Sequence, residues 1–339
     1  MHGSKFNAYA FQGQLGIMRR ETLIVGTLVV VFFLSLVLAI RYGAVAIDFA
    51  HLDKIEKNIL FQVRIPRVAL AALVGAALSL SGLLFQYVMQ NPLADAFTTG
   101  AAASSALGAV AALVLGAEAL VLPSGLCGAM VGLFTVFRVA SFRGRLLPVT
   151  MLLAGIVVST FASAAISLLK FLHEDSVASI VFWLMGGFQN ASYGRVGLLV
   201  LVIGGTLIFL WKRRLALDLA AFDDATAVSS GLSIDRLRRE LLFLGALLTS
   251  VSVAFSGIIG FVGLIVPHIL RLCGFYRAEH LIALSLLFGS TFMLLADLAA
   301  RSILPGGEEL PVGVLTSSLG GLFFLYLLIH RKRQLYEMD

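Results

Sequence analysis

Long apolar runs alternate with short polar clusters along the whole chain, and no polar stretch is long enough to form a separate soluble domain. A helix of about 20 apolar residues crosses the roughly 30 Å hydrocarbon core of a bilayer. Segments 22–40, 68–89, 93–117, 119–137, 146–169, 195–211, 281–300 and 312–329 are predicted to do so. Segment 177–189 (VASIVFWLMGGFQ) is apolar but too short to span, which predicts a re-entrant or interfacial helix. Segment 241–270 is an almost unbroken apolar run, which as one straight helix would reach about 45 Å.

Charge placement decides the last case. Lys212, Arg213, Arg214, Arg236, Arg238 and Arg239 lie in one loop, and Arg331, Lys332 and Arg333 lie in the tail. The positive-inside bias puts both on the cytoplasmic side, so an even number of spans must separate them. Splitting 241–270 near Ser256–Gly257, within a run that holds Gly257, Gly260 and Gly263, supplies that parity. The expectation is an all-α integral membrane fold of ten transmembrane helices with both termini cytoplasmic. It leaves 17 basic residues inside and 8 outside. The first run follows Arg19 and Arg20 and exceeds a usual signal-peptide core, so it reads as an uncleaved first helix.

Ser81-Gly82 precedes Pro92 at the interval by which Ser256-Gly257 precedes Pro267, in two stretches rich in small residues. With the halves starting on opposite sides, the match predicts an inverted-topology repeat of helices 2–5 and 7–10. Gly75, Ala76, Gly82, Gly100, Ala101, Ala102, Ser104, Ser105 and Gly108 predict close helix approach.

Composition agrees with the patterning: 59% of residues are apolar and 13% charged, against about 25% charged in soluble domains. The whole of 1–339 reads as one transmembrane domain, with a cytoplasmic segment 1–21 and a cytoplasmic loop 212–239. The net charge of +6 sits in clusters at the ends of apolar runs, a topology signal that argues against nucleic acid. Cys127 and Cys273 show no C-x-x-C spacing and imply neither a disulfide framework nor a metal site. No phosphate-binding G-x-x-x-x-G-K-[ST] loop and no nucleophile–base pair occurs, so the chain is not expected to be an enzyme or to bind ATP itself.

A set of short motifs adds a more specific reading. In order they are Arg64-Ile65-Pro66-Arg67, Asn91-Pro92-Leu93-Ala94-Asp95 and Gly257-Ile258-Ile259-Gly260-Phe261-Val262-Gly263-Leu264-Ile265-Val266-Pro267-His268, followed by Leu295-Ala296-Asp297 and Glu309-Leu310-Pro311-Val312-Gly313. Together they resemble the FecCD-type permease family, the type II ABC importers of ferric siderophores, haem and cobalamin, over roughly residues 60–330. The resemblance implies a homodimer with the path between the copies, two cytoplasmic ATPase subunits and a periplasmic or lipid-anchored binding protein. ATP and Mg would then belong to the ATPase, with no cofactor in this chain, in a multi-pass protein of the inner (plasma) membrane.

Individual residues carry both a plain and a functional reading. Arg64 and Arg67 fall on the expected outer face, where helix-end arginines commonly snorkel to headgroups. The resemblance instead makes them, with Arg301, a docking patch for acidic side chains of the binding protein. Asp297 and Arg301 are four apart on one helix and are placed to pair. In the loop, a short helix from Asp223 to Ser230 ends at Gly231, a residue suited to a helix C-cap, and a second turn covers Leu232–Leu237. The loop reads as ordinary and solvated, or by resemblance as the ATPase-coupling helices, with Asp224, Ala227, Gly231, Leu232 and Ser233 in contact. Asp223-Asp224 stands where a glutamate is often seen in that motif.

Asn91, Pro92 and Leu93 form a turn that needs no functional explanation. The family places it, with Pro148 and Val149, at the cytoplasmic gate. Lys170 and His173 are interfacial residues or contacts for an anionic cargo such as a haem propionate. The cargo order suggested by family breadth is ferric siderophore, haem, corrinoid, then an oxyanion such as molybdate. An ion-coupled secondary transporter and a non-transporting scaffold are the rival classes.

Overall fold

The computed structural model describes residues 3–43, 47, 52–142, 145–222, 224–304 and 308–336. The helices are α1 (Gly3–Arg41), α2 (Lys54–Asn58), α3 (Ile65–Met89), α4 (Ala101–Val114), α5 (Val121–Ala140) and α6 (Pro148–Leu172). They continue with α7 (Val177–Leu184), α8 (Tyr193–Phe222), α9 (Asp224–Ser229), α10 (Ile234–Ser256), α11 (Val262–Leu272), α12 (Ala278–Ser302) and α13 (Val312–Tyr336). Among the described residues, seven are long and apolar enough to cross a membrane, and Ala101–Val114, Val262–Leu272 and Val312–Leu327 are shorter apolar helices. A two-residue antiparallel ribbon, Ser141–Phe142 with Arg145–Leu146, precedes α6.

The bundle is built around α3, which packs on α12, α10, α11 and α8. Glycine allows these approaches. A Cβ on Gly75 would lie 2.2 Å from the Gly289 carbonyl oxygen on α12, and one on Gly82 would lie 2.0 Å from that of Gly263 on α11. Gly108 meets the Ser124 carbonyl of α5 in the same way. Backbones this close gain dispersion and polar contacts that lipid cannot supply. Between α3 and α10, the Ser81 hydroxyl lies 2.6 Å from that of Thr249 and donates to the Gly245 carbonyl at 3.0 Å.

The split of 241–270 falls where the sequence puts it. α10 ends at Ser256, and Gly257 (φ +66°, ψ −160°) takes a backbone conformation essentially closed to residues with a Cβ. A non-helical stretch then leads to α11. Pro267 inside α11 has no N–H for the Gly263 carbonyl, and Gln86 Nε2 of α3 donates to that oxygen instead, at 3.2 Å. Segment 177–189 contains only α7 and is too short to span, as its length implies.

The packing of the two halves is matched: α3 packs on α12 and α11 as α10 packs on α5 and α4. The Ser-Gly and Pro positions that suggest the repeat do not coincide in the two halves, however. Gly82 lies inside α3 with Pro92 beyond its end, whereas Gly257 ends α10 and Pro267 lies inside α11. The shared spacing thus marks different places in the two halves.

Three boundaries also move. α4 begins at Ala101 rather than near 93, because Asp95 folds residues 95–100 into a turn and Gly100 (φ +77°) caps the helix. α8 runs to Phe222, as Leu217 and Ala220 continue its buried face, so the loop expected at 212–239 is largely helix. The turn expected at Leu232–Leu237 is the entry to α10, which starts at Ile234.

Candidate functional site

The residues singled out from the sequence gather at the two ends of the bundle. At one end, where α1 and α12 finish and α3 starts, lie Arg64, Arg67 and Arg301. The sequence reading sets them on an open surface, but the structure buries them, at 4%, 7% and 4% exposure. Asp297 explains the difference. Its Oδ1 accepts from Arg67 at 2.8 and 3.1 Å, and its Oδ2 lies 3.0 Å from Arg301 Nε. Arg67 also donates to Glu309 at 2.8 Å, while Arg301 donates to the carbonyls of Ala39 and Tyr42 and Arg64 to those of Ile40 and Arg41. The open carbonyls at the end of α1 are suited to cations. The cluster thus ties α1, α3, α12 and the approach to α13 together. Glu309 is its most accessible carboxylate, with a fifth of its side chain exposed. The predicted Asp297–Arg301 pair is present.

Lys170 and His173 reach the same end at the finish of α6; His173 is exposed, and its Nδ1 is 3.2 Å from the Leu169 carbonyl. Nothing in their contacts sets them apart as a binding pair.

At the opposite end, α3 stops at Gln90 in the left-handed region (φ +46°). Asn91 Oδ1 then accepts the Leu93 N–H at 2.9 Å, closing the turn that holds Pro92. Asp95, buried, accepts the N–H groups of Phe97 and Thr98, and Ser159 of α6 donates to the Phe97 carbonyl. Pro148 opens α6, where it needs no N–H donor, and Val149 beside it is 71% exposed. The two predicted gate segments therefore share one end and are linked through α6.

The segment expected to couple to a partner is at this end too. Asp223 lies outside the described residues; Asp224 opens α9, whose Ala227 is buried while Val228 is 58% exposed. Gly231 (φ +80°) donates to the Val228 carbonyl and Leu232 to that of Ala227, the paired bonds of a Schellman cap. The C-cap expected of Gly231 is present. Ser233, exposed, accepts from the backbone of Arg236 and Leu237 and starts α10. Two residues on, Asp235 Oδ1 accepts the Leu146 N–H at 3.4 Å, connecting α10 to the ribbon before α6. Sequence reasoning passes over Asp235, because one acid in a basic loop carries no pattern.

Gly231→Pro should dismantle the cap, since proline is fixed near φ −65° and lacks the N–H. The expected result is unwinding of α9, read as faster backbone amide exchange over 224–232; unchanged exchange would show that the cap does not hold the helix.

A core of tightly packed long apolar helices, with a buried ionic cluster at one end and a short capped helix at the other, defines a multi-pass membrane protein. Residues 23–330 match the FecCD transport family. The chain belongs to that family, the permease subunits of ABC importers that work with a separate ATPase and a substrate-binding protein. Its relatives include a cobalamin import permease of Halobacterium salinarum, 36% identical over 80% of this chain and 73% of the relative. A permease of Helicobacter pylori assigned to iron chelatin transport is 35% identical, over 84% of this chain and 87% of its own length. The molybdate import permease of Haemophilus influenzae is 33% identical, over 84% of each. A solved structure described as a metal-chelate type ABC transporter, inward-facing, superposes with a TM-score of 0.80 at 30% identity, covering 91% of this chain and 99% of that one.

Proposed function

We propose that the chain forms the membrane path for a metal chelate, a ferric siderophore first, then haem or a corrinoid, entering across the inner membrane. The observation that carries this reading is α9: a short capped helix with an exposed outer face, at the same end as the gate segments, in a chain of this family. Two ATPase subunits engage α9 and the start of α10. Asp235 passes their movement to the ribbon and thence to Pro148 and Val149. A homodimer encloses the path, and alternating access follows from the two copies rocking at their interface.

The names of the cobalamin and iron chelatin relatives and of the metal-chelate transporter support the cargo class. The molybdate relative keeps an oxyanion as the second reading. A secondary transporter is disfavoured because its buried acids would have to titrate or bind ions. Here Asp297 is held by two arginines and Asp95 by backbone N–H groups.

The binding protein docks at the arginine end. Because Arg67 is paired, an incoming carboxylate must compete with Glu309 for it. Glu309→Gln should therefore tighten the binding protein by roughly two- to fivefold, the worth of a partly exposed ion pair. Surface plasmon resonance on the reconstituted transporter reads this; unchanged or weaker binding would count against the exchange.

Uptake of labelled ferric siderophore, haem, cobalamin and molybdate, in cells with and without the chain, tests the proposal. Loss of one chelate's uptake, insensitive to a protonophore at fixed ATP, is the expected outcome. Loss of molybdate alone would select the second reading, and protonophore-sensitive uptake would reject an ATP-driven permease.

A further inference from the structure

Among the described residues, two other than glycine have positive φ, Gln90 and Phe261. Gln90 follows the end of α3, where left-handed backbone is common. Phe261 (φ +68°, ψ −18°) instead precedes α11, at a position where extended backbone is usual. In the other half of the chain, Gly100 (φ +77°) precedes α4 and takes the same conformation without strain. A phenylalanine is disfavoured there, so a contact outside the local backbone must hold it.

That contact comes from α13. A Cβ on Gly320 would lie 2.2 Å from Phe261 Cγ, so the partly buried ring fills a notch that glycine leaves in the helix. The Phe324 ring lies beside it, with centroids 6.2 Å apart. The notch is one step in a longer contact. A Cβ on Gly313 would lie 2.5 Å from the Ile258 carbonyl oxygen, one on Gly260 would lie 3.3 Å from Ser317 Oγ, and the Phe324 ring also stands 6.2 Å from that of His268. The motif from Gly257 to His268 is thus the track along which α13 lies. Outside this narrow strip, Leu319, Leu322, Leu325 and Ile329 are exposed, and the main partners of α13 are α12 and α11.

The two ends of the break between α10 and α11 are fixed differently. At Gly257 the backbone itself is clamped: a Cβ there would lie 2.0 Å from the Trp183 carbonyl oxygen of α7, and Gly187 donates to the Ser256 carbonyl at 2.8 Å. At the other end, the Phe261 carbonyl accepts from Leu264 and Ile265 and so starts α11. The dihedral angles of Phe261 therefore set the direction in which α11 leaves the break. What holds those angles is a ring against α13, a contact that a shift of α13 would remove.

We propose that Phe261 is a latch through which the position of α13 sets the direction of α11. With its ring in the Gly320 notch, Phe261 is kept left-handed and α11 takes the direction seen here. When α13 moves along its track, the ring leaves the notch, Phe261 relaxes to negative φ, and α11 swings about the break. The inference rests on the alternating-access reading for the force that moves α13, and it does not depend on which cargo is carried.

The test uses the assembled permease–ATPase complex in lipid nanodiscs, in a chain carrying Cys127→Ser and Cys273→Ser. Spin labels on Phe243→Cys of α10 and Leu272→Cys of α11, both exposed positions, report the swing as a distance. A label on Val149→Cys, in a separate sample, reports the gate between the two copies. Both are measured without nucleotide and with ATP and vanadate. The otherwise unchanged chain should show two α10–α11 distances whose ratio changes with nucleotide. Gly320→Ala should expel the ring and shift that ratio toward the second distance by about tenfold, the scale of mild overpacking. Phe261→Gly should broaden the α10–α11 distance, and in that background Gly320→Ala should shift nothing, because no ring reaches α13. A merely structural contact would lower the thermal stability of Gly320→Ala and leave the distance alone, and that result would overturn the proposal. So would an unchanged distance in Phe261→Gly, which carries the test if Gly320→Ala does not assemble. A Val149 distance that responds to nucleotide beside a fixed α10–α11 distance would overturn the latch and leave alternating access standing. No response at either pair would overturn both.

Discussion

Asp297→Asn is expected to destabilise the permease by about 3–5 kcal/mol, the range found when one member of a buried ion pair is removed. The carboxylate is 1% exposed and stands between Arg67 and Arg301, so its neutralisation leaves two guanidiniums in the bundle with one fewer compensating charge. Glu309 cannot replace it, being engaged with Arg67 from the other side. Thermal unfolding of the purified chain in detergent should show a large fall. Adding Arg301→Met should restore part of the loss, because one uncompensated charge is then gone. Near-wild-type stability of Asp297→Asn would mean that water or lipid already screens the cluster.

Gly82→Val should be as damaging for a different reason. The first carbon of any side chain would lie 2.0 Å from the Gly263 carbonyl oxygen, far inside contact distance, so α3 and α11 must separate. Separation also breaks the Gln86 bond that compensates for Pro267, leaving a carbonyl unsatisfied in the apolar interior. Overpacking alone costs about 1–3 kcal/mol, and an unsatisfied buried group adds about as much. The expected result is loss of monodisperse protein in size-exclusion chromatography. Gly26→Val, where a Cβ meets nothing within 4 Å, should behave as wild type.

How much of this was legible in the sequence follows from what each feature depends on. Apolar run length and the parity of basic loops located the helices and forced the break at Gly257, because membrane insertion depends on those same quantities. Gly231 was legible as a cap because left-handed backbone favours glycine. The start of α4 was not, since the Asp95 turn involves apolar neighbours that also suit a helix. The extension of α8 was hidden by Lys212, Arg213 and Arg214, whose charges resemble a loop although their helical periodicity continues. The burial of Arg64, Arg67 and Arg301 was the largest miss. Only the Asp297–Arg301 spacing hinted at it, and the partner Arg67 lies 230 residues from Asp297.

The most direct test of the central claim is accumulation of a labelled metal chelate in vesicles holding this chain with its ATPase, supplied with the binding protein outside and ATP inside. The account predicts accumulation that requires ATP and the binding protein and persists when ion gradients are collapsed. Accumulation driven by an ion gradient without ATP, or none for any chelate from an assembled complex hydrolysing ATP, would contradict it.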